Sequence, residues 1–202
     1  MKLSFAFLKK LGKPLLDLLI VITGVTVAFL LNNWNVHKSD QAERKKVLAS
    51  LERELRVMCE HFPGMADYQI KMSKSWDSLY NIGLHSDFHQ YYYLQPQHNY
   101  SVIEYAINTR NSAVVDFDLY QQLLVLYKFI KMLEESEVYM TRIALEYRPT
   151  AVEQPKSTNA NLFLFKRFIG FSRNRANTLQ KANESAQQIL LMINAKMKEQ
   201  QQ

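Results

Sequence analysis

Five glycines, five prolines and one cysteine in 202 residues leave little from which to build tight turns or cross-links. Such scarcity suits long helices and argues against a sheet-rich fold with frequent hairpins. The lone Cys59 excludes an intramolecular disulfide and leaves only an intermolecular one. No glycine-rich phosphate loop, Gly-x-Ser-x-Gly or His-Glu-x-x-His is present, so none of those motifs carries chemistry here. A charge excess is also missing from most of the chain. Residues 1–38 hold five lysines and one aspartate, so four of the six net positive charges lie there. The basic balance belongs to that flank, and no nucleic acid is expected as a partner.

What is present is one long apolar run. From Leu15 to Leu31 the only strongly polar side chain is Asp17. At 1.5 Å per residue the run covers about 25 Å, close to a hydrocarbon core of about 30 Å. Leu11 and Gly12 extend it on one side. Asn32, Asn33, Trp34 and Asn35 end it with residue types suited to the membrane–water interface. A buried helix of a soluble protein is the alternative, but no second segment is apolar enough to surround it. A cleaved signal peptide is another. Lys2, Lys9, Lys10 and Lys13 fit one, but the exit, Val27-Ala28-Phe29-Leu-Leu-Asn-Asn-Trp34, is a poor small-residue cleavage site. The reading is an uncleaved signal anchor.

Residues 1–14 then form a basic interfacial segment, 15–35 a single transmembrane anchor, and 36–202 an extramembrane domain. Lysines and arginines tie on the two sides of the span, so orientation rests on the short N-terminus staying inside. That places the N-terminus in the cytoplasm and the domain on the opposite side of the membrane. Gly24 and Ala28 form a small-xxx-small pair that lets another helix approach. Thr23 and Thr26 are able to bond their own backbone or a partner. Asp17 must snorkel to the surface, protonate or pair across an oligomer.

The stretch Gly24-Val-Thr-Val-Ala-Phe-Leu-Leu-Asn-Asn-Trp-Asn35, followed by a charged helix, resembles a family of bacterial single-pass membrane proteins. That family's apolar span ends in Asn-Asn-Trp-Asn-Glu, and its domain is one of unknown function. Val36 stands here where the family has its acid. The resemblance continues at Asn99-Tyr-Ser-Val-Ile-Glu-Tyr105 and Asp118-Leu-Tyr-Gln-Gln-Leu-Leu-Val-Leu-Tyr127. It implies a membrane anchor with a helical extramembrane domain, and no particular activity.

Beyond the span the pattern is helical. Ser39 or Asp40 is placed to cap a second helix, although nothing forbids one helix from the membrane to His61. Leu48, Leu51, Leu55, Met58 and Phe62 recur at steps of three and four. Glu52, Arg53, Glu54 and Arg56 read as their solvated face. Pro63-Gly64 reads as a break, with an antiparallel helix after it carrying Met65, Tyr68 or Gln69, Met72, Trp76 and Leu79 and ending near Gly83. Residues 85–116 read as an irregular loop containing a short helix over 101–108. Asp118 with Gln121 reads as the capping pair of the next helix, whose stripe is Leu119, Leu123, Leu126, Ile130, Leu133 and Met140 and which ends near Tyr147. A last helix runs from Asn159–Asn161 to about Met197. The fold expected is all-α, a transmembrane helix followed by an antiparallel bundle of about four long helices.

Two clusters deserve chemical scrutiny. His85, Asp87 and His89 alternate and are weak candidates for one metal, with His98 a fourth ligand; three ligand types within five residues are common by chance, no second dense ligand cluster accompanies them, and no metal or other cofactor is expected. Lys166, Arg167, Arg173 and Arg175 alternate with four aromatics and are candidate anion contacts, although an aromatic core face with a cationic outer face gives the same pattern. Cys59 and His61 point to different helix faces and make no catalytic pair. No catalytic residue is assigned, and no enzyme is expected. The function expected is a scaffold or interaction subunit of a membrane assembly, in contact with the bilayer and either self-associating or bound to other membrane subunits. The alternatives are a small-ligand-binding bundle acting through a partner and, third, a metal-dependent hydrolase.

Overall fold

A computed structural model describes residues 5–83, 100–108, 115–147 and 159–199, with side chains from Asp17 onward in the first segment and from Asn161 to Lys198 in the last. Four helices are present among them: α1 (Phe5–Asn81), α2 (Ser101–Asn108), α3 (Phe117–Glu146) and α4 (Asn159–Glu199). No strand occurs among the described residues. The chain divides into two units between Arg44 and Lys45.

In the first unit α1 is long and apolar enough to cross a membrane. Every side chain from Asp17 to Ser39 is exposed. A run of this composition without cover requires lipid or another protein around it.

The second unit is a helical bundle with its own core. Leu48, Leu51, Leu55, Met58 and Phe62 of α1 are buried as their spacing predicts. They pack with Leu119, Leu123, Leu126, Ile130 and Leu133 of α3, Ile103 and Ala106 of α2, and Leu179, Ala182, Ala186, Ile189 and Ile193 of α4. A second cluster joins Trp76 of α1 to Met140, Ile143 and Tyr147 and to Phe165, Phe168 and Ile169 of α4. Trp76 meets the edge of Phe168 at 5.2 Å between ring centroids.

The break expected at Pro63-Gly64 does not occur, and α1 passes through it as one helix. The physical reason is the phase of the core stripe. Met58, Phe62, Ala66, Gln69, Ser73 and Trp76 are all buried and recur at steps of three and four across the proline. Pro63 and Gly64 fall on the exposed side. Proline inside a helix costs about 3 kcal/mol. Each large apolar side chain kept in the core contributes about 1.5–3 kcal/mol, so Phe62 and Trp76 together offset it. No separate antiparallel helix over 65–83 therefore exists; three long helices and the short α2 make the bundle.

Ends follow local chemistry. Gly83, at φ 73°, takes the left-handed conformation that terminates α1, with its N–H donating to the Tyr80 carbonyl. The cap of α3 is Asp116, two residues before the expected Asp118. Its carboxylate accepts from the Leu119 N–H at 3.1 Å and also pairs with Lys196 at 2.7 Å.

Candidate functional site

In the first unit, Asp17, Gly24 and Ala28 lie seven and four residues apart. At 100° per residue these steps return to one face of the helix, so the structure brings the candidate packing residues into one line. Gly24 has nothing within 4 Å of where a Cβ would stand. It floors a shallow groove with Leu19, Ile20, Thr23 and Val27. The Thr23 and Thr26 hydroxyls donate to the Leu19 and Ile22 carbonyls at 2.7 and 2.8 Å, so both bond their own helix. Asn32, Asn33, Trp34 and Asn35 are exposed, and the Lys38 ammonium lies 5.4 Å from the Trp34 ring centroid.

The second unit separates the four candidate anion contacts. Arg175 is buried and donates through Nε and Nη2 to Glu137 Oε1 at 3.0 and 2.7 Å. It is a core residue and not an anion contact. Beside this pair the Ser172 hydroxyl donates to Gln69 Oε1. Together they form a polar layer between the two apolar clusters, and its members satisfy one another. Arg173 pairs with Asp77 at 2.9 Å and is neutralised at the surface. Lys166 stands 6.0 Å from the Tyr80 ring. Arg167 is exposed, with its guanidinium 5.6 Å from the Phe163 ring and 5.8 Å from the Phe171 ring.

Sequence reasoning missed a third cluster, at α2. Glu54, expected on the solvated face, is buried instead. Its Oε2 accepts from the Val102 N–H at 3.4 Å, at the start of α2, while Oε1 has no hydrogen-bond partner. Burial pushes its carboxyl up to about 7, against a smaller opposing pull from the Val102 and Ile103 N–H groups. Nearby, Lys131 donates to the Tyr100 hydroxyl at 2.9 Å and to Glu134 at 3.1 Å. Its ammonium lies 4.6 and 5.2 Å from the Tyr100 and Tyr127 rings. The Tyr100 and Glu134 bonds raise the lysine above its ordinary range. The Tyr127 hydroxyl donates to Glu104 at 2.8 Å, and that bond raises the phenol. The spacings of Tyr127, Lys131 and Glu134 put them on one face of α3 in the sequence alone. The partners on α2 have no local signal, because they arrive from a separate element.

His85, Asp87, His89 and His98 lie outside the described residues, so the structure does not place the candidate metal ligands. Among the described residues no group of three or more His, Cys, Asp and Glu side chains is arranged to hold a metal. Cys59 is half-buried against the core, and burial pushes its thiol up. No family model, curated protein or solved structure matches the chain.

Proposed function

We propose that this protein is a membrane-anchored helical interaction subunit, holding other membrane subunits or further copies of itself together and performing no catalysis of its own. In this reading it sits in the bacterial inner membrane as a single-pass signal anchor, with the N-terminus in the cytoplasm and the bundle in the periplasm. The likeness of its Asn32-Asn33-Trp34-Asn35 ending to a family of bacterial membrane proteins supports that address. One observation carries the proposal: the Asp17–Ser39 stretch is exposed throughout and has a notch at Gly24. Lipid covers the apolar run, and the line through Asp17, Gly24 and Ala28 is where a second helix fits.

The test is the native mass of the full-length chain, gently solubilised from its own membrane. A particle heavier than one chain and its detergent is expected, either with other subunits or with further copies. Gly24→Leu fills the notch and is expected to lighten it. A lone monomer overturns the proposal, and an unchanged mass for Gly24→Leu removes the in-membrane part.

A further inference from the structure

We infer that the outer face of α3 and α4 is an interface between two copies of this chain, in which Arg167 of each copy pairs with Glu146 of the other. The face is built from two stripes. On α3, Glu135, Tyr139, Arg142 and Glu146 recur at steps of four, three and four, and all are exposed. On α4, Phe163, Arg167 and Phe171 recur every fourth residue. Tyr139 stacks on Phe171 with ring centroids 5.7 Å apart and planes 13° apart, which joins the stripes. The Arg142 guanidinium lies 5.9 Å from the Tyr139 ring. Phe163 is 60% exposed and Tyr139 47%.

Both guanidiniums lie within 6 Å of a ring centroid, in reach of a cation–π contact. Neither arginine, and neither glutamate, makes an ion pair among the described residues. Aromatic residues and arginine are the types that anchor interfaces. The charges choose the partner. An acidic surface would meet Glu135 and Glu146, and a basic one would meet Arg142 and Arg167. A surface carrying both signs in matching places is the same surface on a second copy.

The register shows how the copies fit. Glu137 pairs with Arg175 and Asp116 with Lys196. Each partner steps 21 residues between the two pairs, in opposite directions, so α3 and α4 run antiparallel without slippage. Nine residues further on, Glu146 stands level with Lys166 and Arg167. A two-fold axis parallel to the helices sets α3 of one copy against α4 of the other at equal height. Arg167 then faces Glu146 of the second copy, twice over. Phe171 faces the Tyr139–Arg142 turn of the second copy, and the rings close the centre.

The face is small. Two helices side by side over the fifteen residues from Met132 to Glu146 present about 400 Å², half of what one partner contributes to a standard interface. Confinement of both copies to one bilayer supplies the effective concentration such a contact needs. In that respect the inference rests on the membrane reading above.

Charge exchange in the full-length chain tests it, with dimer fraction read by sedimentation in mild detergent and helicity by circular dichroism. Each measurement is made in the native and the Gly24→Leu background, so that contacts within the span do not mask the result. Arg167→Glu alone and Glu146→Arg alone are each expected to weaken the dimer at least about tenfold, since like charges then face each other twice. A mixture of the two variants is expected to recover it, because both cross-pairs become opposite in sign. A monomeric native chain, a dimer indifferent to Arg167→Glu in both backgrounds, or a mixture that fails to recover overturns the inference. Where one of these results is found and other subunits still co-purify with the chain, the interaction-subunit reading stands while this interface falls.

Discussion

Arg175 and Glu137 are the most constrained charged side chains of the bundle, with 2% and 9% of their side-chain surface exposed. Each is tolerated in the core because the other neutralises it. Glu137→Ala strands a guanidinium there and is expected to cost about 3–5 kcal/mol. Thermal unfolding of the full chain would show a midpoint lower by roughly 10 °C. Glu137→Leu combined with Arg175→Met removes both charges and is expected to recover most of the loss. Glu54 predicts a pH effect. Its carboxyl releases a proton near 4.5 in the unfolded chain and near 7 in the fold. Between those values the folded state holds the extra proton, so stability declines as pH rises through the window and is level above it. Glu54→Gln is expected to remove that slope and to stabilise the protein at pH 8 by about 1–2 kcal/mol, after allowance for partial solvation of the site. Chemical denaturation at pH 5 and pH 8 measures both; an unchanged slope in the variant would assign the pH dependence to another group.

At the scale of elements, α1 decides how far a sequence of this kind can be read. Its core stripe from Leu48 to Phe62 was visible, and so were the stripe of α3, the short α2 and the end at Gly83, because each is a local pattern of spacing or backbone chemistry. Pro63-Gly64 misled because a breaker reports only local cost, whereas Phe62, Ala66 and Trp76 keep the helix in phase through contacts with other helices. Arg175 looked like its neighbours Arg167 and Arg173 for the same reason: its partner, Glu137, lies on α3. Glu54 sat among charged residues, and only the arrival of α2 buries it. The span's candidate residues were legible as a line, since helical geometry alone aligns Asp17, Gly24 and Ala28. A prediction follows from the misleading pair. Gly64 is exposed within a helix and a Cβ there meets nothing. Gly64→Ala is therefore expected to stabilise the fold by about 1 kcal/mol. Pro63→Ala restores a backbone bond and is expected to add up to about 3 kcal/mol. Denaturant midpoints at constant slope would register both. A loss of stability in either variant would mean that the turn at Pro63 is held in a shape that an ordinary helix does not have.

On the scale of the molecule, the two units use apolar surface in opposite ways. The bundle buries leucines such as Leu51, Leu126 and Leu179 among four helices, while the apolar run leaves Leu18 to Leu31 uncovered. From Leu18 to Leu31 inclusive there are ten Leu, Ile, Val and Phe side chains, and at a helix centre they favour insertion by about 3–6 kcal/mol in total. Thr23 and Thr26 reduce their own cost by bonding backbone carbonyls one turn earlier. The bundle needs none of this, because its core closes among residues from Lys45 onward. Expressed without residues 1–44, the chain is expected to remain helical, to unfold in one cooperative transition and to leave the membrane fraction. The full chain is expected to resist extraction from membranes by alkaline carbonate. Both measurements are needed. Release of the full chain by carbonate would place the apolar run against protein instead of lipid. Aggregation of the shortened chain would mean that the bundle depends on the preceding helix for more than its address.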